Sequence, residues 1–301
     1  RSTQAKTLFP YTTLFRSSTR SEVSDKAQSL REFTVRARGT EGLSLASTVQ
    51  AEAVNLTADL GNLTLASSGK IDATAAQGGV VRLSTGKKLT LQDHAQVIAV
   101  STREGANGGD VLLASDGTGV NDGIELGAAT VKADSSGDTK DGRIVMRVRR
   151  NLTTTQSGNT TTVTEAGTVP IRRTTVSATD STPTGPLTLQ AGQVDVEAVR
   201  VYDDAARTSL LAGASTTTAY GLDALKADAA TFLGTTTARA DAIRQSLGLS
   251  DTSNVHVKAG VEIRSSAATF TVGSASSNLQ LLDVRPGAEP IYLTVRASGN
   301  L

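Results

Sequence analysis

The feature that most constrains how this chain can fold is a three-part apolar repeat between residues 54 and 148. In each part, apolar residues at positions i and i+2 flank one mostly polar residue, and Gly, Asn, Asp or Ser residues separate the parts. The first parts begin at 54, 81, 111 and 144, the second at 63, 89 and 124, and the third at 71, 97 and 131. First parts step by 27, 30 and 33 residues, and the other two series lengthen with them, as expected of one repeated structural unit.

Each part has the alternation of a short β-strand with one buried face. Such strands are too short to form a core alone, so they must stack on the equivalent strands of neighbouring units. The sequence therefore predicts an all-β fold, a parallel β-helix with three strands per coil and a short α-helical insertion. The coils should be right-handed, because crossovers between parallel strands almost always are, and each should rise by about 4.8 Å.

This register also predicts the interior and the corners. Equivalent leucines should stack in buried columns, one with Leu56, Leu83 and Leu113 and beside it columns with Leu65, Leu91 and Leu126. The glycine pairs 78–79 and 108–109 precede first strands, where we expect a corner that needs positive φ. A structural role for these glycines is favoured over a ligand role.

The chain divides into four parts. Residues 7–17 look like the in-frame translation of a short-read sequencing adapter, so we interpret 1–29 as an artefact and a disordered lead-in. The β-helix is predicted over 30–203, with a Thr-rich hairpin at 151–164, and continues over 251–301. Because the last residues, Gly-Asn-Leu, repeat the strand opening at 61–63, we expect a truncated, internal fragment.

Residues 204–250 form the predicted helical insertion. Apolar residues recur there at spacings of three and four, the pattern of one helix face: Leu222, Leu225, Ala229 and Phe232, then Ala240, Ile243 and Leu247. Gly234 and Gly248 are placed for C-terminal caps, Thr235 or Thr237 for an N-cap, and a shorter helix is expected at 204–212. We expect the apolar face to pack on the wall of the β-helix. The charges beside it should be solvated: Asp223, Lys226, Asp228, Arg239, Asp241 and Arg244.

Composition narrows the class of protein. Aromatic residues make up only 3%, with no Trp and one Met, which suits a core of stacked aliphatic layers. Thirty basic and 29 acidic residues leave a net charge of +1, so nothing favours a nucleic-acid partner. Without Cys the chain has no disulfide, no Cys-type zinc site and no thiol nucleophile. The sequence contains no run of 18 apolar residues, so it predicts no membrane-spanning helix.

Candidate chemistry is sparse, and we predict no catalytic, cofactor-binding or metal-binding residue and no cofactor. His94 and His256 are the only histidines and are far apart in sequence, so each is interpreted as a surface residue rather than a metal ligand. Gly108, Gly109 and Asp110 match part of a calcium-binding nonapeptide repeat, but one copy carries no weight. Four Asn-x-Thr triplets match the glycosylation pattern and leave that modification open: Asn55, Asn62, Asn151 and Asn159.

An enzyme on a β-helix would need several charged side chains converging on one wall. The outward middle residues of the first three units do not supply them: Asn55, Arg82 and Leu112; Thr64, Thr90 and Glu125; Asp72, Ile98 and Lys132. Thr64 and Thr90 could form a stabilising ladder. A groove in which three or more carboxylate or basic side chains meet would instead favour a carbohydrate-active enzyme.

Two segments resemble a known family. Residues 254–265 and 293–301, together with the repeated Gly-Asn-Leu-Thr-Leu pattern, are similar to the filamentous haemagglutinin family of large Gram-negative exoproteins. The run Gly-Val-Glu-Ile-Arg-Ser at 260–265 is the most specific part of this resemblance. The resemblance covers about residues 30 to 301. It implies a right-handed β-helical shaft, secretion by a two-partner system through an outer-membrane transporter, and a role in adhesion or contact-dependent competition.

The predicted function is therefore that of a shaft segment of a secreted, cell-surface filamentous adhesin, with a structural and adhesive role and no enzymatic activity. Its expected partners are the outer-membrane transporter during secretion and glycans or proteins on host or neighbouring cells. Two alternatives remain open, a carbohydrate-active β-helix enzyme of the lyase or glycosidase kind and the stalk of a contact-dependent toxin.

Overall fold

Short strands dominate the chain in a computed structural model that describes residues 30–135, 141–152, 154–157, 160–163, 168–173, 185–204, 222–234, 237–249, 254–266 and 291–298. The strands are β1 (Leu30–Ala37), β2 (Leu43–Leu45), β3 (Thr48–Ala58), β4 (Leu63–Leu65), β5 (Lys70–Asp72), β6 (Val80–Thr85), β7 (Lys88–Leu91), β8 (Gln96–Ile98), β9 (Asp110–Ser115), β10 (Gly123–Leu126), β11 (Thr130–Lys132), β12 (Arg143–Arg149), β13 (Thr154–Ser157), β14 (Thr160–Val163), β15 (Ile171–Arg173), β16 (Thr188–Gln190), β17 (Gln193–Tyr202), β18 (Val255–Ser265) and β19 (Tyr292–Ala297). The helices are α1 (Leu222–Leu233) and α2 (Thr237–Leu247).

The strands form three parallel arrays. Sheet 1 has the order β1-β3-β6-β9-β12-β17-β18-β19. Sheet 2 has the order β2-β4-β7-β10-β15, and sheet 3 has the order β3-β5-β8-β11-β16. β3 belongs to two sheets, because its first residues pair with β5 and its later residues with β6. The all-β class predicted from the sequence is confirmed.

The predicted register is also confirmed. Val54 pairs with Val81, Val81 with Val111, and Val111 with Ile144. The second and third strands of each unit pair in the same predicted way. The stacking continues beyond the repeat, since Ile144 pairs with Val194 and Val194 with Val255.

The inward positions form one apolar core. Leu56, Leu83 and Leu113 lie side by side on neighbouring strands and are buried, as are the leucines predicted for the second column, Leu65, Leu91 and Leu126. Full burial of one leucine side chain contributes roughly 1.5–3 kcal/mol. The repeat therefore places its stabilising residues where the alternation predicts them.

Glycines make the corners before β6 and β9 possible, mostly because of their small size. Gly78 has a φ of 82°, as predicted, whereas Gly79, Gly108 and Gly109 do not lie in the left-handed region. A Cβ at Gly79 would overlap the carbonyl oxygen of Ala73, and one at Gly109 would overlap that of Ala99. The close approach of two backbones, rather than φ, explains these glycines.

The Thr-rich hairpin is confirmed. β13 and β14 pair antiparallel, with Ser157 opposite Thr160 across a two-residue connection. At its base, Asn151 and Thr168 exchange two backbone hydrogen bonds of 3.0 Å each. The hairpin thus leaves the parallel array between β12 and β15.

Both longer helices of the predicted insertion are present and end at the predicted caps, Gly234 and Gly248, with φ of 61° and 65°. Thr237 is the first residue of α2, while Thr235 lies outside the described residues. Several predicted segments also lie outside them: the lead-in 1–29, most of the short helix 204–212, and the strands expected at 175–177 and 270–272.

The apolar face of the insertion belongs to the core. Ala229, Phe232, Ile243 and Leu247 are buried in the same apolar cluster as the inward residues of the sheets. α1 contacts β18, and α2 contacts β15 and β18. The expectation that this face packs is confirmed. The expectation that Asp228 is solvated is wrong, because Asp228 is buried and ion-paired with Arg150 and Arg200.

Candidate functional site: a charged groove on sheet 1

The outward face of sheet 1 changes character along the array. On β3, β6 and β9 its positions hold few charges, such as Arg82 and Asp110. On β12, β17 and β18 the matching positions carry Arg147, Glu197 and Lys258, which are direct neighbours in register. Positive and negative side chains alternate across these three strands, an arrangement that stabilises a sheet and concentrates ionic groups on one surface.

One half of this cluster is centred on Asp195. Its carboxylate is ion-paired with Arg143 and with Lys258, whose Nζ lies 2.8 Å from Oδ1. The amide of Gln193 donates a further hydrogen bond of 2.9 Å. Tyr292 closes this half, because its hydroxyl lies 3.0 Å from Nη2 of Arg143 and 3.3 Å from Nζ of Lys258.

The other half is centred on Glu262. Arg147 donates a hydrogen bond from Nη1 to the carboxylate of Glu197 and another from Nη2 to that of Glu262, the latter at 3.0 Å. Glu262 also accepts from Arg264 at 2.6 Å and from Arg296 at 3.0 Å. Arg264 in turn reaches Asp116 on the loop after β9, at 2.6 Å. The carboxylate of Glu262 therefore forms ion pairs with three guanidinium groups.

Protonation differs between the carboxyls. Burial alone would raise the pKa of Asp195, but hydrogen bonds from Lys258, Gln193 and Arg143 outweigh it and hold the pKa below its usual value. The pKa of Glu262 is likewise lowered, because its arginine partners outweigh burial. Burial raises the pKa of Glu197 above its usual value despite the opposing charge of Arg147.

Four members of the cluster, Asp116, Arg147, Glu262 and Arg296, line a groove of about 390 Å³. Arg36 on β1 and Arg296 on β19, at opposite ends of the eight-strand array, both line it. The outward face of sheet 1 is therefore concave here. Charged lining residues are Arg36, Asp59, Asp116, Arg147, Arg149, Glu262 and Arg296, and Arg36 is paired with Asp59 at 2.9 Å.

The residues singled out from the sequence lie elsewhere. His94 is exposed in a turn with a φ of 65°, and His256 is half-buried on β18. Asp110 is exposed at the start of β9. Asn55, Asn62 and Asn151 are half-buried or exposed, whereas Asn159 lies outside the described residues; their glycosylation stays a prediction.

The outward residues of sheets 2 and 3 form small local pairs. Thr64 and Thr90 are neighbours in register, as predicted. Glu125 pairs with Lys88 at 3.0 Å and with Arg172 at 2.6 Å. Asp72 pairs with Lys70 at 3.0 Å. These pairs are separate from the groove, so the candidate functional site lies on sheet 1.

The outward residues of the first three units do not predict the charged groove, because most of its charges lie on later strands. The later strands hold the signal, with charges at alternate positions such as Arg143, Arg147 and Arg149 on β12 and Asp195 and Glu197 on β17. In a strand with one solvated face this spacing puts them all on that face. The groove is lined by more than three carboxylate or basic side chains, and such a groove favours a carbohydrate-active enzyme.

Searches for similar proteins matched no protein-family model, no curated protein and no solved structure. Within the described ranges, no three His, Asp or Glu side chains are grouped so that they could hold a metal ion. Neither α1 nor α2 is long and apolar enough to cross a membrane, and the described part of the chain offers no other candidate helix.

Proposed function

We propose that this chain is a segment of a right-handed parallel β-helical shaft in a secreted, cell-surface filamentous exoprotein of a Gram-negative bacterium. Its role is structural and adhesive, and an outer-membrane two-partner transporter exports it. The observation that carries the proposal is the uninterrupted parallel array of sheet 1, with its buried columns of Val, Leu and Ile. Arrays of this kind bury a continuous core only by repetition, which produces elongated rather than compact molecules.

The order in which the chain visits the three sheets supports the β-helix. From β3 to β12 it passes from sheet 1 to sheet 2 to sheet 3 and then returns to sheet 1, three times in succession. Parallel neighbours joined by such crossovers are right-handed in almost every known case. The resemblance of residues 260–265 to filamentous haemagglutinins adds the secretion route and the adhesive role.

Adherence tests this proposal. Beads coated with the purified 301-residue chain should retain host or bacterial cells, and the matched control is a chain carrying Leu83→Asp, which puts a charge in the buried column. Beads that retain no more cells than the control would contradict the adhesin role.

A carbohydrate-active enzyme is a second candidate, favoured by one observation. Asp59, Asp116 and Glu262 share one groove with four arginines. Glycoside hydrolysis uses two carboxyls, one of which must be protonated, whereas arginines lower the pKa of Glu262. Release of reducing ends from a panel of polysaccharides by the native chain, abolished by Glu262→Gln, would establish this activity in place of a purely adhesive one.

A further inference from the structure

We propose that the groove of sheet 1 binds an acidic polysaccharide, with the carboxylates of its sugars held by Arg149 and Arg296. The inference rests on the adhesive function proposed above, for which it names the class of ligand.

The first observation concerns the side chain of Arg149. It is half-buried at the end of β12 and lines both the 390 Å³ groove and an adjoining cavity of about 480 Å³. Among the described residues it has no ion pair and no side-chain hydrogen bond, unlike its neighbour Arg147. A partly desolvated guanidinium without a carboxylate is costly, and an arriving anion would offset this cost with two parallel hydrogen bonds.

The charge balance of the groove is the second observation. Among the described residues, the lining contains four cations, Arg36, Arg147, Arg149 and Arg296, and three carboxylates, Asp59, Asp116 and Glu262. One positive charge is left over. Arg296 shares Glu262 with two other arginines and its side chain is 64% exposed, so it can turn to a ligand. The even charge of the whole chain hides this local excess.

The lining favours a polysaccharide over other polyanions. Its described residues include no aromatic side chain, so among them nucleic-acid bases find no surface on which to stack. Its apolar members, such as Leu112, Ala114 and Val199, form no deep pocket of the kind that anchors a peptide side chain. Thr57 and Ser84 offer hydroxyls on the outward face. An extended chain of sugars bearing a few carboxylates fits a long groove with two available guanidinium groups.

Binding of polygalacturonate to the full 301-residue chain, measured by calorimetry at low salt, tests the inference. Arg149→Gln and Arg296→Gln should each weaken binding by about tenfold, the loss expected for one charged hydrogen bond. The matched control is Arg82→Gln, which removes an exposed arginine from the same face of sheet 1 outside the groove lining and should change affinity less than twofold. Thermal melting of each variant separates lost binding from lost folding.

The ligand controls are the fully methyl-esterified polymer, which lacks the charges, and poly-glutamate, which carries them on a peptide. The inference is overturned if the ester binds equally well, if poly-glutamate binds more tightly, if Arg82→Gln weakens binding as much as Arg149→Gln, or if nothing binds. If the polymer does not bind but coated beads still retain cells, the ligand assignment is wrong and the adhesin role stands. If the polymer binds but coated beads retain no cells, the adhesin role is wrong and the ligand assignment stands.

Discussion

The fully buried guanidinium of Arg150 is ion-paired with the carboxylate of Asp228 on α1, 78 residues later in the chain. Arg150 also lies over the ring of Phe232, 4.6 Å from its centroid. Arg200 contacts the same carboxylate. One acidic residue therefore connects the insertion to the ends of β12 and β17.

Replacing Asp228 with Ala should lower the free energy of unfolding by about 3–5 kcal/mol, because two guanidinium groups then lose their counter-charge away from water. Urea unfolding measures this loss. Asp241→Ala is the control, since Asp241 pairs with Arg244 at an exposed site, where a pair contributes about 0–1 kcal/mol. Equal effects of the two substitutions would show that the buried pair is not important for stability.

The interior column makes a second prediction. Leu83→Ala should cost about 2–5 kcal/mol, because it removes buried methyl groups and leaves a cavity between Leu56 and Leu113. Leu60→Ala is the same chemical change at a residue that is 56% exposed, and it should cost less than about 0.5 kcal/mol. Chemical denaturation of both variants is the measurement, and a tolerated Leu83→Ala would argue against the stacked column.

The close approach of two backbones at the corners can be tested by adding a single methyl group to a glycine. Gly79→Ala places a Cβ on the carbonyl oxygen of Ala73, so the backbone must shift, at a cost of about 1–3 kcal/mol. Gly39→Ala is the control, because nothing lies within 4 Å of a Cβ there. Differential scanning calorimetry should show a lower melting temperature for the first variant only. A Gly79→Ala protein as stable as the control would mean that the two backbones do not approach so closely.

Stability should depend on pH in two opposite ways. Asp195 and Glu262 have lowered pKa values in the fold, so the stability they contribute is present above their usual pKa of about 4 and is lost as the pH falls through the lowered values. Glu197 has a raised pKa, so it contributes stability at low pH that is lost as the pH rises through the raised value.

Melting temperatures between pH 3 and pH 6 separate these contributions. Asp195→Asn should reduce the difference between the two ends of this range, and Glu197→Gln should increase it. Each variant serves as the other's control, because both remove one charge from the same face. Shifts in the same direction would contradict the assignment of the carboxyls.

Much of the parallel array could be predicted because its determinants are local. Val54 and Leu56 lie on one face of a strand whatever the rest of the chain does, and the recurrence of that pattern near every 30 residues fixes which strands are neighbours. The caps at Gly234 and Gly248 are equally local. The buried state of Asp228 could not be predicted in this way, since its position on the flank of a helix is typical of a solvated charge and its partner Arg150 is remote in sequence.

The groove depends on the curvature of sheet 1, which the pattern of residues along a strand does not predict. The alternation on β12, β17 and β18 places the charges outward, but only the bend of sheet 1 brings Asp116 within reach of Arg264. The glycine corners show the same limit. Their recurrence was visible, whereas the contact of Gly79 with Ala73 is a property of two assembled backbones.

The unbroken passage of β3 from sheet 3 into sheet 1 bears on how the chain would respond to tension. Backbone hydrogen bonds between stacked strands lie along the stacking direction, so a pull on the two ends of the array loads all three sheets at once. Between β3 and β12, failure should then release one unit of 27 to 33 residues at a time, each adding roughly 90–120 Å of extended chain. A chain that lengthens in such steps dissipates mechanical work as each unit unfolds.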